Sequence, residues 1–546
     1  MLPIMESPKV PCGFHSLSTE MKENVFAFIR LPSDRRAVRL VNRDWRDVSD
    51  NVFWTEFRTT AVNALDTLQH PSCSILASVR RLSIVEPEGP VGTTDVLPSN
   101  MVNLIAALPK DQLEQFSCDY ILDYETIKFI LQRQGKLRNV SVTIDFEDES
   151  DLSSFDEIID CLSNAEWLLL SIEDMEQSDI FRSLIRGLPA LKKISIYKDG
   201  QDPILYFQAP DDAPQIFNLT SLTLRGFDFL ETPTTFWGLI ALKNLTYLEF
   251  DNVKNGAPLY RDLIKSFSAS DGLAPSLMEM NIVLTCIERQ PEEIIQVIEE
   301  FFTSFSGLVG SVIETSNYRL VDPSCFEHHY ASLRYLAIGT SWRGRPPYYS
   351  AAQVKALLGV CTNLTELALS FPPVNLGHIR GLGLDFRLHT HGSHSHMSEL
   401  EAVLKSIAAH PRLRILRSLT MPLVDYGLGR DPDLVSSPVQ YIIEELVGPA
   451  QVLMQNFATE VMRFLKQHGS DIRAFCTGGL TRDYTLTREY GQDSNGHCWP
   501  DYIYLPARLV DARGMEHFSA LPLADPDLEF PDRRLVGWTR DFYDSD

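Results

Sequence analysis

The chain has 546 residues, 44% of them apolar and 22% charged, and a net charge of −24. That balance fits a globular chain long enough for two or more domains or one long repeat array. So acidic a composition argues against a nucleic-acid backbone or an anionic membrane as main partner, because both demand basic patches. Nine cysteines lie scattered with no Cys-x-x-Cys pair, which predicts reduced thiols in the cytoplasm or nucleus. The opening residues 1–10 lack a basic start followed by an apolar run, so no signal peptide is expected, and no apolar run approaches the ~20 residues that span a bilayer.

From Phe14 to Phe57 the pattern is that of short helices. Leu17, Met21, Val25, Phe28 and Ile29 recur at helical spacing, with Ser18 or Thr19 available as N-cap. Pro32 closes that segment, and Ser33 or Asp34 can cap the next, where Ala37, Val38, Val41 and Trp45 recur three and four residues apart. Phe53, Trp54 and Phe57 follow. A helical unit this small cannot bury so many large apolar groups unaided and is marginal unless it packs on a neighbour.

The run Leu17-Ser18-Thr19-Glu20, then Val25, Phe28, Ile29 and Leu31, then Leu40-Val41 and Trp45, resembles an F-box. That family's pattern is Leu-Pro-x-Glu, an apolar helix, then a helix carrying Val-x-x-x-Trp; Ser18 stands where the proline is usual. The resemblance implies an all-helical domain over 12–58 that docks on a Skp-type adaptor, and through it on a cullin, by way of Leu17, Glu20, Val25, Ile29, Leu31, Val41 and Trp45. A helical linker is expected over 59–75.

Beyond residue 75 one motif recurs: apolar, two residues, apolar, one residue, apolar. Val79, Leu82 and Ile84 form the first copy, and Leu219, Leu222, Leu224 and Leu364, Leu367, Leu369 are two of the clearest. Middle positions fall at Leu82, Phe116, Val140, Leu168, Ile194, Leu222, Leu248, Met280, Ser311, Leu336 and Leu367, with Ser311 marking a weak copy. The last two apolar residues of each copy are two apart and so share one face of a short strand. Helix-patterned stretches such as PEEIIQVIEEFF and SAAQVKALLGVC lie between copies. A strand–helix unit cannot close a core alone, but stacked units share one. The period is similar to that of leucine-rich repeats, loosely enough to imply an irregular, ribonuclease-inhibitor-like arc.

Residues alternating with the motif leucines should face outward. The middle outward column is mostly small (Ser83, Ser117, Ser141, Ser195, Thr223, Ala337, Ala368). Flanking it, Tyr197, Arg225, Tyr247, Asp251 and Tyr335 are of types that anchor interfaces, and are expected to line a recognition surface for a protein target. The motif fades after 420, where long helices and a last strand at DIRAFCTG are expected. Residues 481–546 read as a terminal cap or a partly disordered tail, the many aromatics favouring a cap.

Signals for catalysis are weak. His389, His391, His394 and His396 lie in a Gly- and Ser-containing stretch with no Cys or carboxylate, which reads as a polar loop rather than a zinc site. Neither GLGLDF nor YGLGRD completes a dinucleotide loop. No catalytic residue, metal or cofactor is assigned. The expectation is an α/β chain: a helical F-box over 12–58, a leucine-rich-repeat solenoid over 76–480 and a C-terminal cap or tail over 481–546. It would serve as the substrate receptor of an SCF-type ubiquitin ligase, with a non-ligase interaction scaffold as the alternative.

Overall fold

The computed structural model describes residues 17–27, 29, 32–60, 74–85, 97–144, 157–173, 187–199, 218–227, 237, 240–269, 276–284, 291–315, 319–340, 347–388, 395–425, 444–478, 502–510, 512–523 and 534–535. The chain divides into two compact units, Met1–Pro203 and Ile204–Asp546.

The first unit opens with three helices, α1 (Thr19–Ala27), α2 (Pro32–Val41) and α3 (Arg43–Phe53). Ser18 accepts the Met21 amide on its hydroxyl at 3.3 Å, so the serine standing at the proline position caps α1. Asn42 likewise accepts the Trp45 amide at 2.9 Å and starts α3. Strand β1 (Glu56–Thr60) follows and pairs parallel with β2 (Arg81–Val85). The expected helical region and helical linker therefore give way to strand at residues 56–60. Phe57 and Thr59 of β1 are buried, which ties the three helices to the sheet after a turn of two residues. Of the expected linker, 61–73 lies outside the described residues. The sheet runs on through β3 (Gln115–Leu122), β4 (Asn139–Ile144), β5 (Trp167–Glu173) and β6 (Lys193–Asp199), all parallel.

The second unit holds β7 (Ser221–Arg225), β8 (Tyr247–Asp251), β9 (Glu279–Leu284), β10 (Gly310–Thr315), β11 (Tyr335–Thr340) and β12 (Glu366–Leu369), parallel and in sequence order. A small pair, β13 (Asn375–His378) with β15 (Leu423–Asp425), sits outside that order. β14 (Ile415–Ser418) and β16 (Ala474–Thr477) continue the main sheet. An antiparallel hairpin, β17 (Tyr502–Val510) and β18 (Glu516–Pro522), pairs with β16. Ala520 of the hairpin is held from both sides by the long helix Glu444–Gln467, donating to Thr459 Oγ1 and accepting from Gln455 Nε2. A folded hairpin thus lies within residues 481–546. Two repeated strand–helix arrays of this kind are consistent with leucine-rich-repeat architecture.

Register follows the motif. Leu82, Phe116, Val140, Leu168 and Ile194 are Cα partners in the first unit. Leu222, Leu248, Met280, Ser311, Leu336 and Leu367 are partners in the second. Ser311 keeps its place in the core because its hydroxyl donates to the Met280 carbonyl at 2.7 Å. Helices cover this side of the second sheet: Phe250 meets Tyr260 of the helix Ala257–Ala269 edge-on at 5.4 Å.

One contact recurs between successive parallel strands within each unit, among the described residues. Just before each strand, two successive amides donate to a single carbonyl of the preceding repeat. Arg80 and Arg81 donate to Thr55, Glu114 and Gln115 to Arg80, and Met278 and Glu279 to Thr246; the same pattern recurs up to Arg473 and Ala474, which donate to Arg414. Buried side chains stitch the turns between. Gln134 accepts the amides of Gln112 and Leu113 at 2.9 and 3.0 Å and donates to the Pro109 carbonyl at 3.0 Å. His329 does the equivalent in the second unit: Nδ1 accepts the Leu308 amide at 3.3 Å and Nε2 faces the Phe302 carbonyl at 2.9 Å. An acceptor at Nδ1 requires the proton on Nε2, so the ring is neutral.

Burial pushes the His329 imidazole down to about 4, against the pull of the Phe302 carbonyl and with the neighbouring His328 charge adding to the fall. The native value lies below the ordinary one, so this ring stabilises the fold above pH 6.5, and the contribution is lost as pH falls from there towards 4. His329→Gln, which offers the donor and acceptor seen at Gln134, should remove that dependence. The stability difference between wild type and the variant should shift by about 2 kcal/mol in the variant's favour between pH 7.5 and 4.5. Chemical denaturation at the two pH values reads it; an unchanged difference contradicts the assignment.

Candidate interaction sites

The three N-terminal helices have a closed interior of their own. Phe26, Val48 and Phe53 are buried together, with Ile29, Val38, Trp45 and Val52 packed on them. The Trp45 ring meets Phe26 edge-on at 5.9 Å, and Phe26 meets Phe53 at 6.0 Å. Trp45 and Ile29, expected at the adaptor contact, thus belong to this interior. The register explains why: α3 turns one face to α1 and α2, and Trp45, Val48 and Val52 share it at intervals of three and four residues. Arg39 pairs with Asp50 at 2.5 Å and lies 5.6 Å from the Trp54 ring, fixing α2 against α3.

Part of what the helices leave outside is apolar. On α1, Met21 is 54% and Val25 42% exposed, one turn apart; at the end of α2, Leu40 is 79% and Val41 53% exposed. Glu20 is exposed beside them, Leu17 is half-buried, and Leu31 lies outside the described residues. Hydrogen bonds from its own backbone and from Ser18 hold the Glu20 carboxyl below its usual range, so it carries its charge at neutral pH. Of the expected adaptor contacts, Val25 and Val41 are therefore exposed, while Trp45 packs on Phe26. Met21 and Leu40 join them, and only their exposure reveals it.

The second site lies on the second sheet, on the face turned away from the helices. Three rows of outward residues cross it. One runs Tyr247, Glu279, Gly310, Tyr335, Glu366 and Ile415. The next runs Thr223, Glu249, Asn281, Val312, Ala337, Ala368 and Arg417. The third includes Arg225, Asp251, Val283, Glu314 and Gly339. The expected recognition residues Arg225, Tyr247, Asp251 and Tyr335 all fall in these rows, whereas Tyr197 lies half-buried in the first unit.

Their states differ. Arg225 Nε is 3.1 Å from the Asp251 carboxylate, and Asp251 is almost wholly buried. Burial pushes Asp251 up to about 7, with Arg225 opposing and Glu314 reinforcing the rise. Asn281 Nδ2 donates to the Tyr247 hydroxyl at 2.9 Å, and that hydroxyl donates in turn to Glu249. Tyr335 is buried, not displayed. Its ring lies across the neighbouring strand where residue 310 has no side chain; a Cβ at Gly310 would fall 1.9 Å from the ring's Cζ. Burial, and then the Glu279 carboxylate facing it, raise the Tyr335 phenol, which stays protonated.

Part of the C-terminal region covers this face. Leu535 is fully buried against Val312, Tyr335, Ala337 and Ala368, with Leu419 alongside. The Leu535 amide donates to Glu366 Oε2 at 2.8 Å, and Arg417 Nη1 donates to the Leu535 carbonyl at 3.3 Å. Glu279, Glu366, Arg417 and Leu535 were not singled out from sequence. Arg417 belongs to a strand whose motif ends on Ser418 rather than an aliphatic residue, which hides the repeat. His389, His391 and His394 lie outside the described residues, and His396 is in the helix Ser395–Ala408. Among the described residues no group of His, Cys, Asp and Glu is placed to hold a metal, and no helix is long and apolar enough to cross a membrane.

No family model matches the chain, and no curated protein matches it. Solved structures similar to it include that of the Rad7 and Elc1 complex in yeast, at 12% identity over 76% of this chain and 91% of that one, with a TM-score of 0.37. Another is the TLR13–ssRNA13 complex, at 16% identity over 68% of this chain and 40% of that one, with a TM-score of 0.28.

Two stability outcomes follow from the geometry. Trp45→Ala opens a cavity between α1 and α3 and should cost about 3 kcal/mol, whereas Leu40→Ser should stay within about 0.5 kcal/mol of wild type. Gly310→Ala forces the Tyr335 ring off its seat and should cost about 1–3 kcal/mol. Urea denaturation of the three variants checks both, and equal costs for Trp45→Ala and Leu40→Ser contradict the division into interior and exposed face.

Proposed function

We propose that this chain is the substrate-recognition subunit of an SCF-type ubiquitin ligase, its N-terminal helices docking on a Skp-type adaptor and its repeats holding a protein target. The observation that carries the reading is the exposed apolar set Met21, Val25, Leu40 and Val41 on helices that pack separately around Phe26, Val48 and Phe53. Aliphatic side chains left in water on a small helical unit with a complete core favour a protein partner. The F-box-like spacing of Leu17 to Trp45 supports an adaptor as that partner. The chain itself carries out no bond chemistry in this reading. It acts by proximity, raising the target's local concentration beside a conjugating enzyme recruited through the cullin.

Paired substitutions at exposed sites test the docking without touching the core. Leu40→Asp with Val41→Asp should weaken binding to a purified Skp-type adaptor tenfold or more, about 1.4 kcal/mol or above, while leaving the unfolding midpoint of the chain unchanged. Isothermal titration against the adaptor measures it. Wild-type protein that shows no adaptor binding, or a double variant that binds as well as wild type, contradicts the reading.

A further inference from the structure

The way Leu535 is held has the features of ligand recognition. Its side chain fills an apolar seat whose floor is Ala337 and Ala368 and whose walls are Val312, Tyr335 and Leu419. Both polar groups of its backbone are read by buried side chains, the amide by Glu366 and the carbonyl by Arg417. The preceding residue is read too, since Arg534 Nη2 lies 3.5 Å from Glu279 Oε1. Glu279 and Glu366 stand on β9 and β12, joined through Gly310 and Tyr335 in one register row, so acid, aromatic and acid follow each other across the sheet. Small floor residues leave depth for one aliphatic side chain, and Gly310 leaves room for the Tyr335 ring.

Arg417 is the costly part of this arrangement. A guanidinium that is 1% exposed is desolvated and must find acceptors. Its Nε donates to the Gly478 carbonyl at 3.1 Å, and Nη1 donates to the Leu535 carbonyl. Of these two acceptors, one directly follows strand β16 of the sheet and the other belongs to the segment lying on the sheet. A seat that holds a two-residue turn with a buried cation and a buried carboxylate is selective for that backbone shape and for a cation followed by an aliphatic side chain.

We propose that this face of the second sheet is a receptor for a turn of a partner protein in which Arg or Lys is followed directly by an aliphatic residue, and that the Arg534–Leu535 turn occupies the seat in cis. The partner segment displaces the chain's own. Net acidity around the seat, from Glu249, Glu279, Glu314 and Glu366, favours a basic segment on approach. The inference deepens the target-binding half of the proposed function, yet it concerns binding by the purified chain alone, so loss of adaptor docking leaves it standing.

The test uses the full chain and a fluorescein-labelled synthetic peptide of residues 530–538, followed by anisotropy. Leu535→Asp in the protein vacates the seat. This variant should bind the peptide saturably and about tenfold or more tighter than wild type, in which the peptide must compete with the tethered segment. Peptides carrying Arg534→Ala or Leu535→Ser, and a scrambled peptide of equal composition, should each bind about tenfold or more weaker. Should Leu535→Asp lower the unfolding midpoint, Leu535→Ala serves for the same comparison, because it retains the backbone and only empties the apolar seat. Absence of saturable binding to both variants overturns the proposal, and so does equal binding of the scrambled peptide, which would reduce the attraction to net charge.

Discussion

The structure depends on one backbone contact repeated along each sheet: a carbonyl at the start of one strand accepts two successive amides from the start of the next. Buried backbone donors need partners, and here the loop that leads into each strand finds them in the preceding repeat. The contact fixes where every strand begins, and with that the register. In a strand, register decides which side chains face the helices and which face away, so a slip of one residue would exchange the two sets. The leucine motif and the carbonyl contact therefore enforce the same arrangement from two directions, one through burial and one through hydrogen bonding.

Side-chain stitches take over where the turns bury more polar groups than the backbone can satisfy. Gln134, His329 and His410 each sit at the end of a helical turn and close the loop behind it. Three residues from two chemical types do one job because each offers an acceptor and a donor at fixed separation. Histidine does it with a condition attached: it must remain neutral, and burial lowers both rings in the required direction. Acid sensitivity in the second unit is thus a by-product of how its loops are closed, and the raised Asp251 carboxyl runs the other way over part of the same range.

Much of the architecture was legible in the sequence because the motif spacing is a direct image of strand geometry. Even the weak copy at Leu308, Ser311 and Ile313 proved to be a strand, rescued by a hydroxyl-to-carbonyl bond that no periodicity announces. The strand Ile415–Ser418 was not legible, since Ser418 occupies the last motif position, where an aliphatic residue is the signal. Trp45 illustrates a different limit. Helical spacing joins it to Val38 and Val41 in one run, but Asn42 breaks that run into α2 and α3, and Trp45 packs with Val38 while Val41 is left exposed. Tyr335 was correctly placed on the side away from the helices, and its burial beneath Leu535 depends on a contact 200 residues away in sequence (535 against 335), beyond the reach of any local pattern.

Two faces of different character emerge as candidates for binding. That on α1 and α2 is aliphatic and open, and that on the second sheet is carboxylate-lined and seated by the chain's own leucine. The central claim is that adaptor docking belongs to the first alone. Hydrogen–deuterium exchange of the full chain with and without a Skp-type adaptor tests it most directly. The account predicts slower exchange confined to peptides within residues 17–54, with strands β8 to β14 unchanged. Protection appearing in those strands and absent from the N-terminal helices would contradict it.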